Sequence, residues 1–559
     1  MTPTESVDAA FERLACVDRP EVWITLRDHA EVLAEASRVD SELPLAGMIF
    51  AVKDNIDVAG LPTTAGVPSY SYIPEKDAVA VGRLRTAGAV VIGKTNLDQF
   101  ATGLVGTRSP YGAVRNAWDP CRISGGSSSG SAVAVALGIV DFALGTDTAG
   151  SGRVPAALNG IVGIKPTRGL IPVTGVVPAC YSLDCVTVLA RDLGLARFVA
   201  ELMQGSDGSP MCRNASQPSP APARPRIAVP IAAQLHGLAE GWQQAFDAAA
   251  SRFASTGVEI VETDVSALLE AANLLYEGAF VAERYAAVGA HIERHPDLIG
   301  VDLDPTVCSI ILGGRDKTAA QWAADTARLA TLAAAGRAAL HGCTALLTPT
   351  TTWHPRIADV AADPIGANAR MGRFTNFANL LDLSSVAIPA GFVAGLPFGV
   401  MLTGAAFTDS TLAELAHRFA RPDVDIFVVG AHLTGQPLNS QLVAAGGTLI
   451  AKTTTAPQYR LHLLETIPPK PGLVRVTDGG MSIEGEVWRL SAAGFGTFVA
   501  EVSSPMAIGK ITLADGVAVS GFLVERFAIE GTADISGLGG WRGYLAGGSD
   551  GYAGPTVRR

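Results

Sequence analysis

The sequence predicts an α/β protein in which a large domain with a mixed β-sheet precedes a smaller, β-rich domain. At 559 residues the chain is too long for one hydrophobic core. Strand-like and helical runs alternate over residues 44–100, which predicts a sheet covered by helices on both faces. The pattern then changes near residue 425 to short strand-like segments with few helices. The predicted divisions are a first domain at 1–420, a linker at 421–425, a second domain at 426–545 and a disordered tail at 546–559.

Within the large domain, the hydrophobic pattern places further elements. Residues 1–40 are predicted to be helical, beginning with an amphipathic helix whose apolar side chains recur at helical spacing. The Pro/Ser-rich residues 204–225 predict a surface excursion. A strand is predicted at 226–230 and mainly helix at 238–290. The segment DSTLAELAHRFA is predicted to be the helix that ends the domain near residue 420.

Composition restricts the partners and the compartment. A net charge of −11 and the lack of a basic run argue against nucleic acid binding, so an anionic substrate needs a local cation. The seven cysteines are odd in number and form no CxxC pair, which favours free thiols in a reducing cytoplasm. We expect neither a signal peptide nor a membrane span. No His/Cys/Asp cluster has the spacing of metal ligands, so no metal and no cofactor are expected.

Two Gly/Ser-rich turns in the stretch GGSSSGSAVAVALGIVDFALGTDTAGSGRVPA hold the candidate reactive serines. Ser127 and Ser151 lie 24 positions apart, enough for a turn, a helix, a strand and a second turn. The first turn opens a run of small residues, so Ser127 is expected near a helix N-terminus. Ser151, flanked by glycines, is the candidate nucleophile. The backbone N–H groups of Thr148 to Ser151 are expected to be free to point at one spot, and those of Thr148, Ala149 and Gly150 are assigned to its oxyanion hole.

A histidine base is missing from both turns, because none occurs between His29 and His236. Lys53 ends an apolar, strand-like run, and removal from water lowers the pKa of a lysine. Such a lysine can act as a base near neutral pH. Lys53, Ser127 and Ser151 are therefore interpreted as a Ser–Ser–Lys arrangement in which Ser127 relays a proton from Ser151 to Lys53.

The segments AVKDNI, GGSSSGS and GTDTAGSGRVPA resemble the amidase signature family. The resemblance implies the amidase-signature fold, with Lys53 as base, Ser127 as a bridging serine preceded by a cis peptide bond, and Ser151 as nucleophile. The commoner family form of the first turn is GGSSGGS. Ser129 replaces one of its glycines here, which suggests a subfamily and leaves the three catalytic positions unaffected.

The same region admits other interpretations. Gly/Ser-rich turns are commonly just turns. The run G-S-S-S-G at 126–130 also fits a nucleophile elbow centred on Ser128, but the preceding WDPCRIS contains Pro120 and has little β character. GAVVIGKT at 88–95 matches the P-loop pattern, yet its apolar β-branched residues are better suited to a buried strand.

The second domain narrows the resemblance. IFVVGAHL, YRLHLLE, PPKPGLVR, IEGEVW and GGWRGYL resemble the C-terminal domain of the allophanate hydrolase family, which has a γ-glutamyl-cyclotransferase-like fold. LYEGAFVAERYAAV, CYSLDCV and FTNFANLLDLSSVAIPAGF in the first domain resemble the same family. This implies hydrolysis of allophanate, a small anion, to ammonia and N-carboxycarbamate. The C-terminal domain then helps decarboxylate that product, so the overall products are ammonia and carbon dioxide.

The resemblance assigns substrate binding to Tyr276 and Arg284. They lie eight residues apart, about two helical turns, and so on one helix face. A guanidinium offers two parallel N–H donors to a carboxylate such as that of allophanate. The alternative is a solvated helix face with an arginine satisfied by its neighbours.

His432 is the candidate proton donor for the decarboxylation, because it lies at the end of a predicted strand beside a turn and titrates in the required range. A lone histidine is more often a packing residue, so both roles stay open. Glu486 is a weaker candidate and His462 is expected to be structural.

Two other functions stay open. One is an amidase acting on another small amide, such as an aryl-acetamide. The other is the A-type subunit of a glutamine-dependent tRNA amidotransferase, a family that lacks a domain like residues 426–545. The resemblance also implies a homodimer.

Overall fold

The computed structural model describes residues 2–214, 222, 224–420, 424–464, 466, 469–490 and 492–547. It divides the chain into two compact units, residues 1–420 and 421–559. The predicted disordered tail therefore lies mainly outside the described residues. All seven cysteines are free thiols.

The first unit is built on one mixed sheet whose order is β1-β3-β2-β4-β6-β5-β10-β11-β9-β7-β8. Parallel pairs, such as β2 with β3 and β4, lie beside antiparallel pairs such as β10 with β11. The strands are β1 (Trp23–Leu26), β2 (Ile49–Lys53), β3 (Val90–Thr95), β4 (Phe142–Asp147), β5 (Val162–Lys165), β6 (Cys185–Ala190), β7 (Arg226–Pro230), β8 (Glu259–Thr263), β9 (Ala345–Pro349), β10 (Leu383–Val393) and β11 (Leu396–Ala405).

The helices of the first unit bury three apolar clusters, two of which are large and lie against the sheet. They are α1 (Pro3–Cys16), α2 (His29–Ala36), α3 (Val79–Thr86), α4 (Ser129–Ala136), α5 (Arg153–Asn159), α6 (Leu193–Met203), α7 (Trp242–Ser255), α8 (Ser266–Glu277), α9 (Ala282–Arg284), α10 (Ala290–Arg294), α11 (Pro305–Leu312), α12 (Ala319–Ala339), α13 (Ile357–Ala362), α14 (Pro364–Met371), α15 (Asn376–Leu380) and α16 (Asp409–Ala420).

The parallel pairing of β2 and β4 creates the position of the candidate site. Every residue of β2 and β4 is buried, as expected for parallel strands covered on both faces. Because the strands run the same way, their carboxyl ends lie at one edge of the sheet. That edge carries Lys53 at the end of β2 and Thr146 and Asp147 at the end of β4.

The mixed α/β class is confirmed, but one local prediction was wrong and another left out a short strand. Residues 1–40 include the strand β1, which pairs antiparallel with the edge of β3. Residues 238–290 are mainly helical as predicted, but they also include the strand β8, which pairs with β7. Both strands lie outermost in the sheet, and four or five residues carry too little periodicity to be distinguished from their helical surroundings.

The second unit is rich in β-structure, with a five-stranded sheet of order β13-β16-β12-β18-β17 and a separate pair, β14 and β15, in its described residues. Its elements are β12 (Val424–Val428), α17 (Asn439–Ala444), β13 (Thr448–Thr454), β14 (Tyr459–Leu464), β15 (Lys470–Arg475), β16 (Glu484–Leu490), α18 (Ala492–Ala500), β17 (Met506–Thr512), β18 (Ala518–Val524) and α19 (Trp541–Gly547). Val424 and Asp425, assigned to the linker from the sequence, are the first two residues of β12.

Candidate active site

Lys53 is completely buried at the end of β2. Its Nζ donates hydrogen bonds to Ser127 Oγ at 2.8 Å and to Thr146 Oγ1 at 2.7 Å. Burial lowers the pKa of Lys53 to about 7, although nearby carboxylates, led by Asp98, oppose the shift. About half of the lysine is therefore neutral at pH 7 and able to accept a proton.

Ser127 lies in the turn that leads into α4, next to a cis peptide bond between Gly126 and Ser127. Its carbonyl accepts a hydrogen bond from Asp98 N at 3.3 Å. The side chain is buried and faces Lys53, so the structure brings together the lysine and the first serine that the sequence paired.

Ser151 lies in the turn between β4 and α5. Its carbonyl accepts a hydrogen bond from Ser128 N at 3.1 Å, which joins the two Gly/Ser-rich turns. Its hydroxyl donates to the carbonyl of Gly103 at 3.3 Å. The hydroxyl is thus held by a loop that the sequence did not connect with the nucleophile.

The predicted oxyanion hole needs one correction. Gly150 N donates to Asp147 Oδ1 at 2.7 Å, so this N–H is occupied. Within the described residues, the N–H groups of Thr148, Ala149 and Ser151 have no hydrogen-bond partner. Of the N–H groups from Thr148 to Ser151 that were expected to be free, these three are available to an oxyanion and that of Gly150 is not.

A buried ion pair shapes this turn. The Asp147 carboxylate lies 2.8 Å from Arg153 Nη2 and accepts further hydrogen bonds from the backbone N–H groups of Gly150 and Gly152. Burial alone would raise the pKa of Asp147, but Arg153 outweighs it and holds the pKa at about 2. The carboxylate is therefore ionised at neutral pH and keeps the turn closed around Ser151.

Tyr276 and Arg284 meet, but not on one continuous helix as predicted. The helix α8 ends at Glu277, and a short 3₁₀ turn separates it from Arg284. Arg284 is 1% exposed and donates to Thr102 Oγ1 at 2.9 Å. Its Nη2 lies 3.4 Å from Tyr276 Oη, and the guanidinium is 5.2 Å from the tyrosine ring centre. Its buried Nε has no partner among the described residues, which leaves a donor for a ligand.

Sequence reasoning missed Asp184, a buried carboxylate that contacts the second Gly/Ser-rich turn. Asp184 accepts hydrogen bonds from Thr148 Oγ1 and from the backbone of Ala179 and Cys180. Burial raises the pKa of Asp184, and these hydrogen bonds, followed by the charge of Arg284, partly oppose the shift. The sequence signal was an aspartate immediately before a buried strand, β6, in the segment SLDCV.

In the second unit, His432 lines a cavity of about 280 Å³ together with Gln441, Lys470 and Phe498. Its Nε2 is 2.9 Å from Gln441 Oε1, and its ring stacks on Phe522 with centroids 5.0 Å apart. Burial lowers the pKa of His432, so the ring is mainly neutral at pH 7. The imidazole of His432 therefore both contacts the Gln441 side chain and lines the cavity.

Glu486 and His462 both have hydrogen-bond partners within the second unit, which explain their positions without a catalytic role. Glu486 is buried and accepts hydrogen bonds from Thr434 N, Trp488 Nε1 and Arg542 Nη2. His462 lies in β14 and contacts Thr532 Oγ1 at 3.2 Å. Neither residue is among those that line the His432 cavity.

The structure also decides between the competing motifs. Ser128 Oγ donates to the carbonyl of Thr146 at 3.1 Å. A nucleophile elbow must follow a strand, but residues 96–128, all of which the structure describes, contain none. Lys94 lies inside the buried strand β3 and pairs with Asp54 at 3.1 Å. The GAVVIGKT match is therefore a strand and an internal ion pair, not a phosphate-binding loop.

Two family models match this chain, one over each unit. Residues 5–413 match the model described as Amidase, and residues 424–546 match the model of the allophanate hydrolase C-terminal domain. The chain belongs to the amidase family. The hydrogen-bonded pair of Lys53 and Ser127 lies in the range that matches the Amidase model. His432 lies in the range that matches the allophanate hydrolase C-terminal domain.

Relatives that match the amidase domain and the second unit together include the urea amidolyase of Saccharomyces cerevisiae. It is 41% identical over 96% of this chain, which spans 31% of that relative. The solved Kluyveromyces lactis allophanate hydrolase superposes with a TM-score of 0.71 at 40% identity, covering 98% of this chain and 97% of the other. The A-type subunit of the glutamyl-tRNA(Gln) amidotransferase of Symbiobacterium thermophilum is 34% identical over 76% of this chain and 95% of its own length.

Membrane spans and metal clusters are both missing from the described part of the chain. None of the helices there is both long and apolar enough to cross a membrane. No group of three or more His, Cys, Asp or Glu side chains among the same residues is arranged to hold a metal ion.

Proposed function

We propose that this chain hydrolyses allophanate, with Ser151 as nucleophile, Ser127 as proton relay and Lys53 as base. The observation that carries the proposal is a connection through two adjacent residues. Thr102 accepts a hydrogen bond from the buried Arg284, while Gly103 accepts one from Ser151. A binding group for a carboxylate is thereby held next to the nucleophile.

The reaction begins with a proton transfer. Neutral Lys53 accepts the proton of Ser127, as Ser127 accepts that of Ser151. Ser151 Oγ then forms a bond to the terminal carbonyl carbon of allophanate, and the N–H groups of Thr148, Ala149 and Ser151 stabilise the resulting oxyanion. One proton is returned from Lys53 through Ser127 to the leaving nitrogen as the C–N bond breaks, which releases ammonia.

The acyl group left on Ser151 is a carbamoyl unit that still bears the substrate carboxylate. Water, deprotonated through the same Ser127–Lys53 relay, adds to the acyl carbon. Breaking the bond to Ser151 Oγ releases N-carboxycarbamate and regenerates the free serine. No metal or organic cofactor takes part in this scheme.

Substrate selection rests on Arg284 and Tyr276. The carboxylate of allophanate accepts hydrogen bonds from the guanidinium, including the buried Nε that lacks a partner among the described residues. The Tyr276 ring lies against the guanidinium and restricts its orientation. A buried arginine without its anionic partner is poorly solvated, so the site favours an anionic amide over a neutral one.

For the second unit, we propose that the protonated fraction of His432, which the lowered pKa keeps small at neutral pH, supplies the proton for decarboxylation of N-carboxycarbamate. Loss of carbon dioxide leaves an electron pair on nitrogen that must be protonated. His432 faces the cavity, and Lys470 offers a positive charge at its wall. A homodimer is proposed from the resemblance to this family. The boundaries at 1–420 and 426–545 are proposed from the change of sequence pattern near residue 425, and a cytoplasmic location from the free cysteines.

The test is ammonia release by the purified chain alone. Allophanate should be hydrolysed to ammonia and carbon dioxide, whereas malonamide, a neutral amide, should be a poor substrate. Preference for an aryl-acetamide would support the other-amidase alternative. Glutamine hydrolysis that requires added partner proteins would support the amidotransferase alternative.

A further inference from the structure

Asp98 is a buried carboxylate just beyond the end of β3 that the proposed reaction does not use. Its Oδ2 accepts hydrogen bonds from the backbone N–H groups of Val105 at 3.2 Å and Gly106 at 3.0 Å. Its Oδ1 accepts another from Arg108 N at 3.0 Å. Three backbone donors converge on one side chain, so Asp98 organises the loop that runs from 99 to 108.

That loop makes the two contacts on which the proposed function rests. Thr102 accepts the hydrogen bond from Arg284, and Gly103 accepts the one from Ser151. Gly103 is packed closely on the carboxylate, since a side-chain carbon there would lie 2.5 Å from Asp98 Oδ2. Movement of Asp98 would therefore move both contacts together.

Asp98 also contacts the other reacting serine. Its backbone N donates to the carbonyl of Ser127 at 3.3 Å. A side-chain carbon at Gly126, the preceding residue, would collide with the Asp98 carboxylate. The first Gly/Ser-rich turn and the loop 99–108 are thus both packed on one residue.

The charge of Asp98 acts on the proposed base as well. Among the charged groups that affect Lys53, Asp98, Asp147 and Asp184 raise its pKa, while Arg284 lowers it. Asp147 is paired with Arg153. The Asp98 carboxylate, in contrast, is held by neutral backbone N–H groups, so its charge acts on Lys53 more fully than that of a paired carboxylate.

We propose that Asp98 is a positioning residue that aligns Ser151, Ser127 and Arg284 through the loop 99–108 and the first Gly/Ser-rich turn. This inference rests on the proposed function for the roles of those three residues. It extends that function by making one carboxylate responsible for both nucleophile alignment and anion recognition.

The test compares Asp98→Asn with Asp141→Asn in the full chain. Asp141 is a matched control because its carboxylate also accepts a backbone hydrogen bond, from Ile49 at 2.8 Å, but is not among the charges that shift Lys53. One readout is the rate at which a sulfonyl fluoride modifies Ser151 at pH values from about 5 to about 9. This range lies on both sides of the pH at which Lys53 titrates. The other is kcat/KM for allophanate over the same range.

For Asp98→Asn we expect both rates to fall about 10²-fold, because the serines and the arginine lose their alignment. The acid limb of both profiles should also move down by about one pH unit, because Lys53 loses an anion that stabilises its charged form. Asp141→Asn should retain the wild-type limb. A fall in rate with an unmoved limb would assign Asp98 a merely structural role and overturn the inference, as would unchanged rates.

A second variant covers the case in which Asp98→Asn does not fold. Gly103→Ala keeps the charge but pushes the new methyl group against the carboxylate. We expect slower modification of Ser151 and slower allophanate turnover, and wild-type rates would contradict the inference. The sulfonyl fluoride readout needs no substrate, so wild-type protein that reacts at Ser151 but ignores allophanate would refute the proposed substrate alone.

Discussion

Lys53 Nζ lies 2.8 Å from Ser127 Oγ, and both side chains are completely buried. The hydrogen bonds of the lysine within the described residues go to the hydroxyls of Ser127 and Thr146, not to a carboxylate. A buried lysine held by neutral oxygens keeps a low pKa and can exchange a proton with the serine beside it. This arrangement supports the proposal that Lys53, and not a histidine, activates the hydroxyl.

The first prediction concerns the three proposed catalytic residues. Ser151→Ala should abolish ammonia release from allophanate, and Lys53→Ala should lower kcat by about 10³-fold or more, because neither group has a substitute nearby. Ser127→Ala should cost less if a water molecule can relay the proton. Ser128→Ala is the control, since Ser128 Oγ donates to the Thr146 carbonyl. Normal turnover by Ser151→Ala would contradict the assignment and move it to Ser128.

The second prediction concerns recognition of the anion. Arg284→Ala should weaken transition-state binding of allophanate by about 2–5 kcal/mol, because the carboxylate loses a buried charged partner. Turnover of neutral malonamide should change little. Tyr276→Phe is a milder comparison, because it removes only the hydroxyl 3.4 Å from the guanidinium. The measurement is kcat/KM of each variant for allophanate and for malonamide. If Arg284→Ala lowers both values equally, Arg284 has a structural role rather than a role in anion recognition.

The third prediction concerns stability and pH. The folded-state pKa of Lys53 is lowered to about 7, so above that pH the folded state holds fewer protons than the unfolded state. Relative to Lys53→Met, the wild-type free energy of unfolding should rise from about pH 7 upwards, with a slope of at most about 1.4 kcal/mol per pH unit.

Urea unfolding of the two proteins at several pH values measures this difference. Below pH 7 the lysine is protonated in both states, so the difference should become constant there. A difference that is flat from pH 7 to 9 would mean that Lys53 stays charged in the folded protein.

The fourth prediction concerns the second unit. His432→Ala should leave the first ammonia release unchanged and delay the carbon dioxide that comes from N-carboxycarbamate. His462→Ala is the matched control, because it replaces a histidine of the same unit that lies outside the His432 cavity. Ammonia and carbon dioxide followed together by rapid quench would reveal the lag. Prompt carbon dioxide release by His432→Ala would leave that histidine with a packing role only.

The sequence alone proposed Lys53, Ser127 and Ser151 as partners because their signals are local, and the structure joins the first two by a hydrogen bond. Glycines and small residues define each turn, and the apolar run before Lys53 defines a buried strand, so the residue types needed for the chemistry are visible within short segments. The same locality explains the mixed α/β class and the change of pattern near residue 425. Alternation of strand and helix is encoded in neighbouring residues.

Tertiary structure decided what depends on distant segments. Arg284 donates to Thr102 across 182 residues of chain, and Ser151 finds Gly103 across 48. No local pattern encodes such pairings, so the loop organised by Asp98 was not predicted. The engagement of Gly150 N with Asp147 and the helix break before Arg284 were missed for a related reason: backbone hydrogen bonds choose among partners only when the chain has closed around them.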